Sequence, residues 1–209
     1  NRVRRQRQMC IRDRYEKVLR TDPQFVRALV AMARIDIQDG KLDVATRRLQ
    51  TARSIDAESP WVYIGFGDFY RTQDNFELAE REYREAIRRA EKEPRAHYLL
   101  AKALLQQKRV EEALAEASTA LSIEERNPKY MVQKASILDR LKRHDEAANL
   151  MKRAIRLMPE EDEFYVQLAL TLLKRDRVDE ARNYLATAAG IDRKNGNIPY
   201  LLGVTFVEK

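Results

Sequence analysis

Residues 60–93, PWVYIGFGDFYRTQDNFELAEREYREAIRRAEKE, contain the pattern that decides the fold. Apolar side chains recur three and four residues apart on both sides of the polar stretch Gln73–Asn75. This is the spacing of two amphipathic helices joined by a turn. Small residues stand within the apolar faces at Gly67, Ala79 and Ala86. The segment is therefore predicted to be a helical hairpin whose helices approach closely at these small side chains.

The pattern recurs every 34 residues along the chain without an insertion. Two columns consist of alanine and a third mixes alanine and glycine: Ala45, Ala79, Ala113, Ala147, Ala181; Ala52, Ala86, Ala120, Ala154, Ala188; Ala33, Gly67, Ala101, Ala135, Ala169, Gly203. Larger apolar residues at helical spacing are expected to fill the space around these contacts: Leu49, Tyr83, Met151, Leu185 and Ile55, Ile123, Leu157, Ile191.

The register predicts an all-α fold of about twelve antiparallel helices, with two helices in each repeat. An acidic residue follows each predicted turn, where it favours the positive end of a helix dipole: Asp43, Glu77, Glu111, Asp145, Asp179. Five complete repeats lie between two half repeats in one predicted array over residues 15–209: 15–25, 26–59, 60–93, 94–127, 128–161, 162–195, 196–209.

The repeat resembles the tetratricopeptide repeat family, which has 34-residue helix-turn-helix units with these small positions. The closest match is carried by Tyr63, Phe66, Gly67, Tyr70, Ala79, Tyr83 and Ala86. Asp36, Arg89 and Ala117 depart from the family pattern. The resemblance implies a right-handed superhelix in which the first helix of each repeat lines a concave groove for a peptide or protein. By register it implies these groove residues: Arg27, Arg34, Trp61, Ile64, Arg71, Arg95, Tyr98, Lys102, Lys129, Val132.

The implied groove is cationic and aromatic toward its N-terminal end and more apolar toward its C-terminal end. It would suit a partner that carries acidic and aliphatic residues. Alternatively, these side chains only cover neighbouring helices. The groove lacks the lysine, asparagine and arginine set with which some family members hold the C-terminal carboxylate of chaperones. It also lacks the asparagine ladder of some glycosyltransferase-linked arrays.

Most of the net charge of +7 lies in the first 14 residues, which include six arginines and one aspartate. Residues 5–14 resemble translated sequencing-adaptor DNA, so residues 1–14 are predicted to be a non-native or disordered basic arm. The competing interpretation is a genuine arm that binds RNA or acidic lipid.

The sequence predicts neither a catalytic site, a metal site nor a cofactor. Cys10 is the only cysteine, and the two histidines are far apart. His97 is expected to pack in a hairpin and His144 to be solvated in a turn. No apolar run approaches the roughly 20 residues that a membrane-spanning helix needs. The compartment is left open between the cytoplasm and the cell envelope.

The leading functional hypothesis is an interaction scaffold. One alternative is a targeting module of a larger enzyme or cell-envelope assembly factor, for example a glycosyltransferase-linked one, and another is nucleic-acid binding through the basic N-terminus. The apolar segment Tyr200–Phe206 has no following helix in the sequence. It therefore suggests either a fragment of a longer array or self-association through this end.

Overall fold

The computed structural model describes residues 2–192 and 196–207, with side chains from residue 9 onward except at 204, 206 and 207. The regular structure of these residues is entirely helical, and their twelve helices confirm the all-α prediction. The helices are α1 Arg2–Thr21, α2 Val26–Gln38, α3 Leu42–Ile55, α4 Pro60–Arg71, α5 Phe76–Arg89, α6 Pro94–Gln106, α7 Val110–Ile123, α8 Pro128–Arg140, α9 His144–Leu157, α10 Asp162–Leu173, α11 Val178–Ile191 and α12 Asn197–Val207.

The helix starts follow from local sequence. Proline occupies the first position of α4, α6 and α8, where its missing N–H has no helical partner to lose. The side chain of Asn75 accepts a hydrogen bond from the backbone N–H of Leu78 and so caps α5. The predicted acidic residues lie in the first turn of α3, α5, α7, α9 and α11, as expected from the helix dipole.

The turn inside each repeat has the same backbone conformation five times. One residue per turn adopts a positive φ between 55° and 75°: Gly40, Asp74, Lys108, Lys142, Asp176. The next backbone N–H donates to a carbonyl five residues earlier, at 2.8 to 3.1 Å, as in Asn75 to Tyr70. This is the Schellman arrangement, which satisfies carbonyls at the end of a helix. Only one of the five positions holds glycine, so the sequence did not reveal that the five turns share this backbone conformation.

The two alanine columns lie in the core, as predicted, and so does the mixed alanine and glycine column except at Gly203, which is exposed. All ten alanines of the two alanine columns are 0% exposed, and Leu49, Tyr83, Met151 and Leu185 are at most 2% exposed. The prediction that Ile55 and Ile191 fill the core was wrong, because they are 36% and 37% exposed. Ile123 and Leu157 are half-buried. All four are the last residues of their helices, where the packing of the hairpin covers a side chain only in part.

The chain divides into two compact halves, residues 1–109 and 110–209. In the N-terminal half, α2 pairs with α3, α4 pairs with α5, α1 packs on α2 and α6 packs on α5. Helices α2 and α4 are also neighbours, as are α4 and α6. In the C-terminal half, α8 pairs with α9 and α10 with α11, while α7 contacts α8 and α12 contacts α11. Whether one array runs from residue 15 to 209 stays a prediction.

The first helix starts earlier than the predicted half repeat. It begins at Arg2 rather than near Tyr15, so the helix includes residues 2–14 of the predicted basic arm. Arg12 lies 2.5 Å from the Asp39 carboxylate and 3.6 Å from that of Asp36, which ties this helix to α2 and the turn after it. The origin of residues 1–14 stays a prediction.

Candidate functional site

The implied groove residues fall on several helices. Arg27 and Arg34 lie on α2, and the others on α4, α6 or α8: Trp61, Ile64, Arg71; Arg95, Tyr98, Lys102; Lys129, Val132. The first eight belong to the N-terminal half, where α2, α4 and α6 are consecutive neighbours. Lys129 and Val132 belong to the C-terminal half.

Asp68 is the centre of a charged cluster in the N-terminal half. Its carboxylate lies 3.0 Å from Nε of Arg34, 3.6 Å from Nη2 of Arg71 and 3.8 Å from Nη2 of Arg95. The hydroxyl of Tyr83 donates a 3.0 Å hydrogen bond to the same carboxylate. These five residues, called the Asp68 cluster below, come from α2, α4, α5 and α6.

The Asp68 cluster carries surplus positive charge. Three guanidinium groups surround one carboxylate, and the Asp68 side chain is only 8% exposed. Burial, and then the like charge of Arg95, lowers the pKa of Arg34 below its ordinary value. Burial, and then the negative charge of Asp68, raises the pKa of Tyr83, so its hydroxyl stays protonated and can donate. The cluster would be better neutralised by a further anion.

Two cation–aromatic pairs lie on the same three helices. The guanidinium of Arg27 lies 4.2 Å from the centre of the Trp61 ring, and the ammonium of Lys102 lies 4.8 Å from that of Tyr98. Both aromatic rings are half-buried, whereas Arg27 and Lys102 are exposed. Half-buried aromatic residues beside cations are common anchors at protein interfaces.

A pocket of about 320 Å³ joins the apolar and cationic residues. Its base includes Val30 and Ile64, which are 3% and 0% exposed, and it also includes two arginines of the Asp68 cluster. The lining residues are Tyr15, Phe25, Arg27, Val30, Ala31, Arg34, Trp61, Ile64 and Arg95. The pocket offers room for an apolar side chain next to a site for an anion.

The C-terminal half places Lys129 exposed in the first turn of α8 and Val132 half-buried one turn later. A smaller pocket of about 130 Å³ lies between α8, α9 and α10, and its lining includes Asp139 and Lys174. His144, which was predicted to be solvated, instead lies in the first turn of α9 with its Nδ1 2.7 Å from Asp139. Although burial alone would raise it, the pKa of Asp139 is lowered by hydrogen bonds from Lys174 and His144.

His97 packs inside the N-terminal half, as the sequence predicted. It is 6% exposed, and its Nε2 lies 2.9 Å from the carbonyl oxygen of Glu91.

Sequence reasoning missed the central role of two residues in the Asp68 cluster. Tyr83 was expected only to fill space in the core, and no particular role was predicted for Asp68. A signal was present, because Arg34 and Asp68 occupy the same column of neighbouring repeats. The sequence gives no such signal for Tyr83, because only the packing of α5 against α4 brings its hydroxyl within hydrogen-bond distance of Asp68.

The part of the chain that the structure describes offers neither a metal site nor a membrane-spanning helix. No three side chains of histidine, cysteine, aspartate or glutamate lie together as metal ligands there. None of the described helices combines the length and apolar character required to cross a bilayer.

The paired helices, their buried alanines and their repeated turns define a helical-repeat protein. Two family models, both described as tetratricopeptide repeat, match residues 65–130 and 140–202 and together cover more than half of the chain. The chain belongs to the tetratricopeptide repeat family. No match was found among curated proteins.

Solved structures of several repeat proteins are similar to this chain. PilF of Pseudomonas aeruginosa superposes with a TM-score of 0.74 at 22% identity, over 83% of this chain and 79% of PilF. YrrB, described as a tetratricopeptide repeat protein with an unusual peptide-binding site, has a TM-score of 0.67 at 16% identity, over 90% of this chain and 96% of YrrB. Yeast Tom70 has a TM-score of 0.78 at 20% identity, over 94% of this chain and 43% of Tom70. At these identities the likeness shows the fold alone.

Proposed function

We propose that this protein is an interaction scaffold whose N-terminal half binds an acidic segment of a partner protein along α2, α4 and α6. The observation that carries the proposal is the charge of the Asp68 cluster, in which three arginines share one carboxylate. Arginine holds carboxylates and other oxyanions through several parallel hydrogen bonds. A partner segment with acidic side chains would supply the missing negative charge.

The aromatic residues beside the cluster support a mixed acidic and aliphatic segment. Trp61 and Tyr98 are half-buried, and their rings offer apolar surface at a low cost in side-chain entropy. The pocket of about 320 Å³ next to Trp61 can accept an aliphatic side chain. Ile64 would contribute only to the base of this pocket, because it is fully buried.

Two further considerations favour a binding role. Proteins of this repeat family bind other proteins, and the structurally similar YrrB is described as having a peptide-binding site. Lys129 and Val132 on α8 are proposed as additional contacts for a segment of the same character in the C-terminal half. The proposal includes no catalytic step and no cofactor.

The proposal is tested by selecting binders from a random peptide library on the purified 209-residue protein. We expect the selected peptides to be enriched in aspartate and glutamate next to leucine, isoleucine or valine. Their affinity should fall as the salt concentration rises, because exposed charges are screened beyond about 10 Å at 0.1 M salt.

The matched variants are Arg27→Glu/Lys102→Glu and Arg81→Glu. Arg27 and Lys102 lie on the proposed surface, whereas Arg81 is an exposed residue of α5 outside the Asp68 cluster and the pocket. The double variant should no longer bind the selected acidic peptides, whereas the Arg81 variant should bind them as the wild type does. A library with no acidic enrichment, or equal binding to all three proteins, would refute the proposed surface.

A further inference from the structure

We propose that Arg34, Arg71 and Arg95 form a receptor for a phosphoryl group, so that the bound segment carries a phosphorylated serine or threonine. This inference rests on the proposed interaction function and names the group that enters the Asp68 cluster. It is carried by the geometry, the unmet hydrogen bonds and the charge of that cluster.

The three arginines converge from the first helices of three successive repeats without being buried completely. Arg34 lies on α2, Arg71 on α4 and Arg95 on α6, and their side chains are 33%, 33% and 30% exposed. All three approach the same carboxylate, so their guanidinium groups lie close to one another. Each therefore retains exposed surface for a ligand.

Asp68 does not satisfy the hydrogen-bond donors that surround it. A guanidinium has five N–H donors, whereas the Asp68 carboxylate has two oxygens, one of which already accepts the Tyr83 hydroxyl. Arg71 and Arg95 approach that carboxylate at 3.6 and 3.8 Å, beyond the usual N–H···O distance. Moreover, the Nε atoms of Arg71 and Arg95 are buried without a hydrogen-bond partner. The cluster thus has more donors than acceptors.

The surplus charge fits a dianion better than a carboxylate. Three guanidinium groups and one carboxylate leave a charge of +2. A phosphorylated side chain carries about −1.5 to −2 at pH 7 and three acceptor oxygens. A glutamate or aspartate carries a single charge and two oxygens, so it would leave the cluster cationic. Burial, and then the like charge of Arg95, lowers the pKa of Arg34, whereas, although burial opposes this, Tyr83 and Asp68 raise the pKa of Arg71.

Asp68 and Tyr83 act as positioning residues. The carboxylate holds the three like charges together, and the hydroxyl of the fully buried Tyr83 holds the carboxylate in place. The positions that correspond to Asp68 in the later repeats are Lys102, Ser136 and Leu170, so the sequence does not repeat this carboxylate. The receptor is therefore a feature of the N-terminal half.

The assignment is tested by fluorescence anisotropy with labelled peptides of aspartate and leucine that differ only at one central residue. Phosphoserine, glutamate and serine are compared on the full chain. We expect the phosphoserine peptide to bind at least tenfold more tightly than the serine peptide, with glutamate between them. Lowering the pH from 7 to 5 should weaken the binding of the phosphoserine peptide but not that of the other two peptides. The second phosphate pKa is about 6, so the phosphoryl group loses negative charge over this range.

The variants Arg34→Gln and Arg95→Gln should reduce the affinity for the phosphoserine peptide to that for the serine peptide. Arg81→Gln is the matched control and should leave the preference unchanged. Because loss of folding would weaken the binding of all peptides alike, the ratio between the affinities for the phosphoserine and serine peptides is the deciding measurement. A ratio that is unchanged in both cluster variants would overturn the assignment.

The remaining outcomes separate this inference from the proposed function. Equal binding of the phosphoserine and glutamate peptides would overturn the phosphoryl receptor and leave the acidic-segment proposal standing. Binding of inorganic phosphate as tight as that of the phosphoserine peptide would also overturn it, because the site would then be for the free ion. If none of the three peptides binds, the phosphoryl receptor is overturned too. The library selection would then decide the proposed function independently.

Discussion

Replacing Gly67 by alanine would place a methyl group against the ring of Tyr83. A Cβ atom at Gly67 would lie 2.3 Å from Cε1, 2.6 Å from Cδ1 and 2.8 Å from Cζ of that ring, whereas ordinary contacts begin near 3.4 Å. The ring and α4 would have to separate by about 1 Å to restore ordinary van der Waals contact. Tyr83 cannot turn away easily, because it is fully buried and its hydroxyl donates to Asp68.

The magnitude follows from two opposing effects. Forcing an extra methyl group into a well-packed core costs about 1–3 kcal/mol. Alanine in a helix is better than glycine by about 1 kcal/mol. Because the obstacle is a rigid ring rather than a flexible chain end, we expect a net loss of about 1–2 kcal/mol in the free energy of unfolding.

The other repeats show how the loss can be relieved. Three of them combine alanine at the Gly67 position with leucine or methionine at the Tyr83 position: Ala33 with Leu49, Ala135 with Met151, Ala169 with Leu185. Tyr83→Leu alone should cost about 2–4 kcal/mol, since it leaves a cavity and removes the hydroxyl from Asp68. In Gly67→Ala/Tyr83→Leu, the total cost should be smaller than the sum of the two by at least about 1 kcal/mol.

The assay is urea unfolding followed by helical circular dichroism for the wild type, both single variants and the double variant. Gly65→Ala is the control, because its Cβ would meet Cδ2 of Leu49 at 2.4 Å, the end of a flexible side chain, and Cγ1 of Val30 only at 3.0 Å. It should cost less than Gly67→Ala. If the losses in unfolding free energy of Gly67→Ala and Tyr83→Leu simply add in the double variant, the close contact between Gly67 and Tyr83 is refuted. A larger loss of unfolding free energy for Gly65→Ala than for Gly67→Ala would also refute it.

Three further changes test the turns, the charges and the core. Gly40→Ala should destabilise the protein by about 1 kcal/mol, because alanine is strained at the φ of 75°. Gly190→Ala, at an exposed position of α11, should stabilise it by about 0.5–1 kcal/mol, and shifts of the melting temperature in the same direction for both variants would contradict this. Asp139→Asn should be less stable than the wild type at neutral pH. Because the folded pKa of Asp139 is lowered, this difference should shrink in urea titrations as the pH falls from about 4 through that lowered pKa, and a difference that grows would oppose the assignment. Ala86→Leu should lower the unfolding free energy by about 1–3 kcal/mol through overpacking, and a neutral effect would argue against the 0% exposure of this alanine.

Much of the fold was predictable because its requirements are local or periodic. A helix needs apolar residues three and four apart, and close helix packing needs a small residue at each crossing. Both requirements can be recognised in the spacing of residues such as Ala79 and Ala86. The prediction was less accurate at helix ends. Ile55 follows the core spacing and yet is 36% exposed, since its helix stops before the side chain can be covered.

The candidate site was only partly predictable. Register correctly placed Arg34 on α2, Arg71 on α4 and Arg95 on α6, because each position in the repeat keeps its place in the hairpin. It did not reveal that all three approach the carboxylate of Asp68. Side chains as long as arginine can reach several neighbours, so their partners depend on how closely the helices pack.

The sequence by itself determined the repeat length, the helical class and the positions that must stay small, because those features depend on spacing along one chain. Only the tertiary structure decided that Tyr83 holds Asp68 within a group of arginines, and that His144 contacts Asp139. It also decided that Lys108 and Lys142 adopt the backbone conformation that glycine usually supplies. The reason is physical: charge pairing and turn conformation depend on distances between helices, and residue spacing limits those distances without specifying them.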